Sequence, residues 1–161
     1  RGLHVANGGV AGEVSRNGPA QVRRYLDLFP NARIFIIGFG TNDLGLLEDG
    51  PRTSQTIINR LDQMTVLVVK RGARPVLFNV PDLNESFFAP AVAAEARALR
   101  DDHNARLAEF CASRDIPLAD IRCRLTNRHL ADALHPSDSG ARIIAATVHS
   151  LLEERRLLDG Q

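Results

Sequence analysis

The stretch RIFIIGFGTND, Arg33 to Asp43, decides how this chain folds. Its first eight residues form a short β-branched and aromatic run that ends in glycines, the pattern of a buried strand running into a loop. RPVLFNVPD, Arg74 to Asp82, repeats that form, and IPLADI, Ile116 to Ile121, is a weaker third example. GLHVAN, residues 2–7, has the pattern of the tail of a fourth strand. Helical patterns separate these runs: Pro19 to Phe29, with proline in the first turn, then Thr53 to Lys70, Pro90 to Arg114, and about Ser139 to Leu157. Within the third of these, the Ala- and Arg-rich residues 91–108 read as an amphipathic helix with a solvated face, whose charges carry no functional information. Strands alternating with helices of this length predict parallel βαβ units, hence an α/β sandwich around an open sheet. Functional residues are then expected at the carboxyl ends of the strands.

At 161 residues the chain fits a single domain, residues 1–161, with no repeat or linker-like shift in composition. Its 20 basic and 19 acidic residues leave a net charge of +1, so nothing points to nucleic acid or an anionic membrane as partner. A small-molecule partner is the natural expectation. No apolar run approaches the roughly 20 residues that cross a bilayer, so no integral membrane segment is expected. Cys111 and Cys123 are expected to be two free thiols, Cys111 within a helical pattern. Compartment and oligomeric state are not legible in these residues.

Three short stretches carry chemistry. NGGVAGE, Asn7 to Glu13, follows the first strand fragment; GTND, Gly40 to Asp43, follows the second visible strand; DALHP, Asp132 to Pro136, precedes the last helix. All three fall where strand ends meet loops. Gly38-Phe39-Gly40 invites a dinucleotide-binding reading, but the third glycine of G-x-G-x-x-G is replaced by Asp43, whose carboxylate repels a pyrophosphate. The plainer alternative is a glycine turn with Asn42 or Asp43 capping the next segment. Asp132 and Ser137 can likewise be read as turn and cap residues beside an exposed His135. The functional reading makes more of the spacing. Pro136 disfavours helical dihedrals at His135 and keeps the imidazole in an extended segment before the helix. Asp132 can accept a hydrogen bond from one ring nitrogen, which sets the tautomer and leaves the other as a general base. His129 lies near in sequence, yet no second ligand cluster has zinc spacing, so no metal and no cofactor is expected.

Taken in order, N-x-G-x-x-G (Asn7, Gly9, Gly12), G-T-N-D (Gly40 to Asp43) and D-x-x-H-P (Asp132, His135, Pro136) resemble blocks two, three and five of the SGNH hydrolases, also called GDSL lipases or esterases. The resemblance spans almost the whole chain. It implies a flavodoxin-like three-layer α/β/α sandwich with a five-stranded parallel sheet. Residue by residue, it implies that Gly9 offers its backbone N–H and Asn42 its side-chain amide to an oxyanion, with His135 as base and Asp132 as its orienting partner. The substrate class it implies is a small-molecule carboxylic ester.

The family's nucleophile, in Gly-Asp-Ser ahead of the second block, has no counterpart among Ser15, Ser54, Ser86, Ser113, Ser137, Ser139 and Ser150. Ser15, closest to the second block, reads as a cap or surface residue. The expectation is that the sequence begins after the first strand of a longer protein, because an internal strand is costly to lose. Such a fragment is expected to be inactive alone. The alternative is a carbohydrate- or peptide-binding module on the same fold. Finally, PDLNESFFAPA, Pro81 to Ala91, is long for a strand-to-helix connection; Phe87 and Phe88 either line an acyl pocket or pack beneath the loop.

Overall fold

The computed structural model describes residues 3–45 and 54–159. Three strands, β1 (Ile34–Ile37), β2 (Arg74–Phe78) and β3 (Leu118–Ala119), form a parallel sheet in the order β1-β2-β3. Ile34 stands opposite Arg74 and Ile37 opposite Leu77, while Leu77 pairs in turn with Leu118. Five helices connect or flank them: α1 (Gly18–Leu28), α2 (Thr41–Gly45), α3 (Ser54–Lys70), α4 (Pro90–Ser113) and α5 (Asp138–Glu154).

Side-chain alternation along the strands builds the layers. Ile37 and Leu77 face a core shared with Val22 and Leu26 of α1, Leu61 and Met64 of α3, and Leu107 of α4. Val76 and Ala119 point the other way, onto Val148 and Leu152 of α5. Both faces of the sheet are therefore covered, as a parallel sheet requires. The α3 helix supplies the apolar centre: Ile57, Leu61, Met64 and Val68 recur at helical spacing and are each at most 1% exposed. Burial of such side chains stabilises by about 1.5–3 kcal/mol apiece.

Three predicted strands and four predicted helices exist, with ends shifted by a few residues; Thr53 lies outside the described residues. The fourth strand does not form. Residues 3–7 have no regular structure and are exposed, Val5 at 85%. An extended segment without a neighbouring strand gains no ladder hydrogen bonds, and its alternating apolar side chains have no sheet face to cover. Among the described residues the sheet holds three strands where the resemblance implied five, and β1 pairs on one edge only. Ile36 on that strand is 47% exposed.

The sequence reading of α4 also needs correction. Its buried stripe is not apolar: besides Ala93, Leu107 and Cys111 it contains Arg100, His103 and Asn104. Asn104 grips the backbone of Val80, accepting from its N–H at 2.9 Å and donating to its carbonyl at 2.8 Å. Arg100 donates to the Pro81 carbonyl at 3.2 Å. These polar residues thus satisfy the backbone where β2 opens into its loop, a position at which unpaired groups would be costly. Burial lowers the pKa of His103, whose Nδ1 lies 3.2 Å from Ser54 Oγ. Burial also pushes the Cys111 thiol up to about 12, so this cysteine is an inert core group, and both cysteines are free.

Candidate active site

The GTND segment forms the entry to α2. Gly40 has φ +129°, and a Cβ on it would meet Val80 Cγ2 at 2.7 Å and His103 Nε2 at 2.9 Å, so this turn accepts only glycine. From it the Leu44 N–H returns to the Gly40 carbonyl at 2.8 Å, closing the first turn of α2. The turn delivers Asn42 and Asp43 in opposite senses. Asn42 donates through Nδ2 to the Glu13 carbonyl at 2.8 Å. A carbonyl can only accept, so the amide orientation is determined: nitrogen towards Glu13, with its second proton still to be given. Asp43 is 1% exposed and accepts the Ser15 N–H at 2.9 Å and the Ser15 hydroxyl at 2.6 Å.

Ser15 is therefore neither a cap nor a surface residue. It is fully buried and opens a short 3-10 turn whose N-cap is Val14. The adjacent sequence of small and polar residues concealed this, because the partner that buries Ser15 lies 28 positions away.

Gly9 sits on the exposed arm before Ser15, and its N–H is given to the Asn7 side chain at 2.9 Å. No hydrogen bond among the described residues joins this arm at Gly9 to Asn42 or His135. Downstream of β2, Glu85 and Arg97 form a two-pronged ion pair, one contact being Arg97 Nε to Glu85 Oε1 at 2.7 Å. The Asn84 N–H donates to the Ala133 carbonyl at 2.9 Å. That bond fastens the Phe87/Phe88 loop to the loop that carries His135. Phe87 is 61% exposed and Phe88 is half-buried; neither ring joins a core cluster.

The segment Asp132 to Pro136 is shaped by one carboxylate. Asp132 Oδ1 accepts the N–H groups of Leu134 and His135 at 2.9 and 2.8 Å, and Oδ2 lies 2.8 Å from His135 Nδ1. The backbone N–H of Leu134, then that of His135, then the imidazole hold the Asp132 carboxyl down to about 2. An ionised carboxylate has no proton to give, so His135 Nδ1 is the donor in this contact. The ends of this loop are closed by pairing of Leu130 with Pro136 and by the Ala131 N–H on the His135 carbonyl at 2.8 Å. Ser137 then caps α5, its hydroxyl accepting from Gly140 N.

A cavity of about 60 Å³ opens at the carboxyl ends of β1 and β2, lined by Glu13, Gly38, Gly40, Asn42, Phe78 and Asn79 among others. A larger hollow of about 280 Å³ between α1 and α3 holds none of the motif residues. Chemistry, not volume, locates the site. Asn79 strengthens this edge: its Nδ2 donates to Asp120 at 2.7 Å while its Oδ1 accepts the Ile121 N–H at 2.9 Å, tying β2 to the end of β3.

An amide in the first turn of α2 and an imidazole–carboxylate pair ahead of α5 are thus carried by a parallel sheet flanked by helices. The profile of the GDSL-like lipase/acylhydrolase family matches residues 1–143, and the chain belongs to that family. Among solved structures it resembles a GDSL-like lipase from Bacteroides thetaiotaomicron at 18% identity, covering 91% of this chain and 74% of that one with a TM-score of 0.73. A carbohydrate esterase of family 3 from Talaromyces cellulolyticus is 19% identical, covering 91% and 69% with a TM-score of 0.69. A lipase/acylhydrolase from Enterococcus faecalis is 20% identical, covering 89% and 72% with a TM-score of 0.67. No curated protein sequence gives a significant match. At these identities the structural likeness concerns the fold, and the family match carries the hydrolase assignment. Among the described residues, no helix is long and apolar enough to cross a membrane.

Proposed function

We propose that this protein hydrolyses carboxylic esters through an acyl-enzyme, with an attacking serine supplied from residues ahead of Arg1. The observation that carries this reading is the His135–Asp132 pair, in which the Nδ1 proton is committed to the carboxylate and Nε2 is left without a hydrogen bond to any described residue. Four serine hydroxyls within the described chain are engaged elsewhere: Ser15 with Asp43, Ser54 with His103, Ser86 with Asn84, Ser137 with His129. Among the described residues β1 pairs with β2 on one edge only, which leaves its other edge for a further parallel strand in this reading.

In the reaction, the serine oxygen attacks the ester carbonyl while His135 Nε2 takes its proton. Asp132 stabilises the resulting imidazolium. The negative charge that develops on the carbonyl oxygen is met by the second Nδ2 proton of Asn42 and by the Gly9 N–H, which exchanges its neutral Asn7 partner for the stronger charged acceptor. The imidazolium then gives its proton to the leaving alcohol, and water repeats the cycle to release the acid. A short-chain p-nitrophenyl ester assay tests this directly, together with labelling by a serine-directed phosphonate. The chain extended by its upstream coding sequence should turn over and be labelled at a serine ahead of residue 1, whereas residues 1–161 alone should do neither. Turnover by residues 1–161 alone would overturn the assignment of the nucleophile.

Phe87 and Phe88 are proposed as acyl-contact residues, supported by the exposure of Phe87 and by the Asn84–Ala133 bond that holds their loop against the His135 loop. Replacing both with alanine should lower kcat/KM more for medium-chain than for acetyl esters, by about tenfold for the area two rings cover. An equal loss at every chain length would assign them to loop packing.

A further inference from the structure

Asp43 is the one fully buried carboxylate among the described residues, and the reaction above makes no use of it. It is gripped from two directions. Ser15 donates its N–H at 2.9 Å and its hydroxyl at 2.6 Å, and Arg60 of α3 places Nη1 3.8 Å from Oδ1 while donating to Ser15 Oγ at 3.1 Å. Two residues before Ser15 is Glu13, whose carbonyl takes the Nδ2 proton of Asn42, the residue preceding Asp43. The Glu13 side chain is itself held, by Asn17 Nδ2 at 2.7 Å, by the Val14 N–H at 3.1 Å and by Gln21. The chain thus closes a ring: Asp43 to Ser15, along the backbone to the Glu13 carbonyl, across to Asn42, and back to Asp43.

We propose that Asp43, acting through Ser15 and Arg60, is a positioning residue that sets which way the Asn42 amide faces. The proposal rests on the reading of Asn42 as an oxyanion donor for its consequence in turnover, but not for its geometry. An exposed asparagine turns freely about its last torsion. Here its rotation is stopped by one carbonyl, and that carbonyl lies two residues from Ser15, which is locked in the protein interior. A carboxylate suits the lock because it accepts both Ser15 donors and pairs with the guanidinium; an amide in its place would turn one donor towards another. The same lock anchors the inner end of the exposed arm that carries Gly9.

The test uses Ser15→Ala, which removes the hydroxyl link and leaves the Asp43 carboxylate in place, beside Asp43→Asn. Hydrogen exchange by NMR, read at the Asn42 side-chain amide and the Ser15 backbone amide, should accelerate by about tenfold or more in Ser15→Ala, while the β2 amides of Val76 and Leu77 keep their protection. In the nucleophile-bearing protein the same variant should lower kcat by up to about 10²-fold with KM unchanged, the signature of a donor displaced in the transition state only. Unchanged exchange at Asn42 in a folded variant would overturn the proposal. So would loss of protection throughout the sheet, because the role would then be general stability. Asn42→Ala separates the two claims: the oxyanion reading expects a loss of about 10² to 10³ in kcat. If Asn42→Ala leaves kcat intact while Ser15→Ala still accelerates Asn42 exchange, the positioning stands and the oxyanion role falls.

Discussion

Replacing His135 with alanine in the nucleophile-bearing protein is expected to lower kcat by about 10⁶, the loss seen when the base of a serine triad is removed. The structure makes this a clean experiment. The His135 side chain is 70% exposed, and among the described residues its one side-chain bond is the 2.8 Å contact of Nδ1 with Asp132. Asp132 keeps the two backbone N–H groups that shape the loop, so the melting transition should not move. Activity within tenfold of the parent enzyme would remove His135 from the mechanism. A large drop with an unchanged melting curve and unchanged KM would assign the loss to the chemical step.

Substituting Asp132 with asparagine is expected to cost about 10⁴ in kcat. The side-chain oxygen of asparagine can still take the Leu134 and His135 N–H groups, so the loop keeps its shape. Its nitrogen then faces Nδ1 as a donor, which places the ring proton on Nε2 and removes the lone pair that accepts the serine proton. A loss of tenfold or less would reduce Asp132 to a turn residue. The pH dependence adds a second readout. The folded carboxyl is held down to about 2, below its ordinary 3.8, so the stabilisation it gives the loop is present above 3.8 and is lost as pH falls towards about 2. Amide protection at Leu134 and His135 should fade across that acid window.

The Asn42 and Ser15 variants probe a smaller effect of a different kind. They ask whether a donor that is present is also held in place. A misplaced amide still binds the ground state, so kcat carries the information and KM does not.

Much of this architecture was legible locally. RIFIIGFG and RPVLFNVPD are β-branched runs closed by glycine or proline, and both are strands because that pattern is decided by neighbours within a few residues. The helices from Gly18, Ser54, Pro90 and Asp138 follow from apolar spacing and from the proline and serine at their starts. The Asp132–His135 contact was legible for the same reason, being three residues long. GLHVAN read as the tail of a strand by the same local rules, yet its described residues 3–7 form none, because a strand exists only through a partner that local residues do not supply.

The sequence by itself determined the alternation of strands and helices, the family blocks and the acid–imidazole spacing, since each is written in a short local stretch. Only the tertiary structure decided that Ser15 and Asp43 are buried against each other, and that α4 turns Arg100 and Asn104 inward to hold the β2 loop and His103 towards Ser54. Those contacts join residues 19 to 49 positions apart. A polar side chain becomes interior only when a distant partner satisfies it, and the energy that decides its place is not present in its own neighbourhood of the chain.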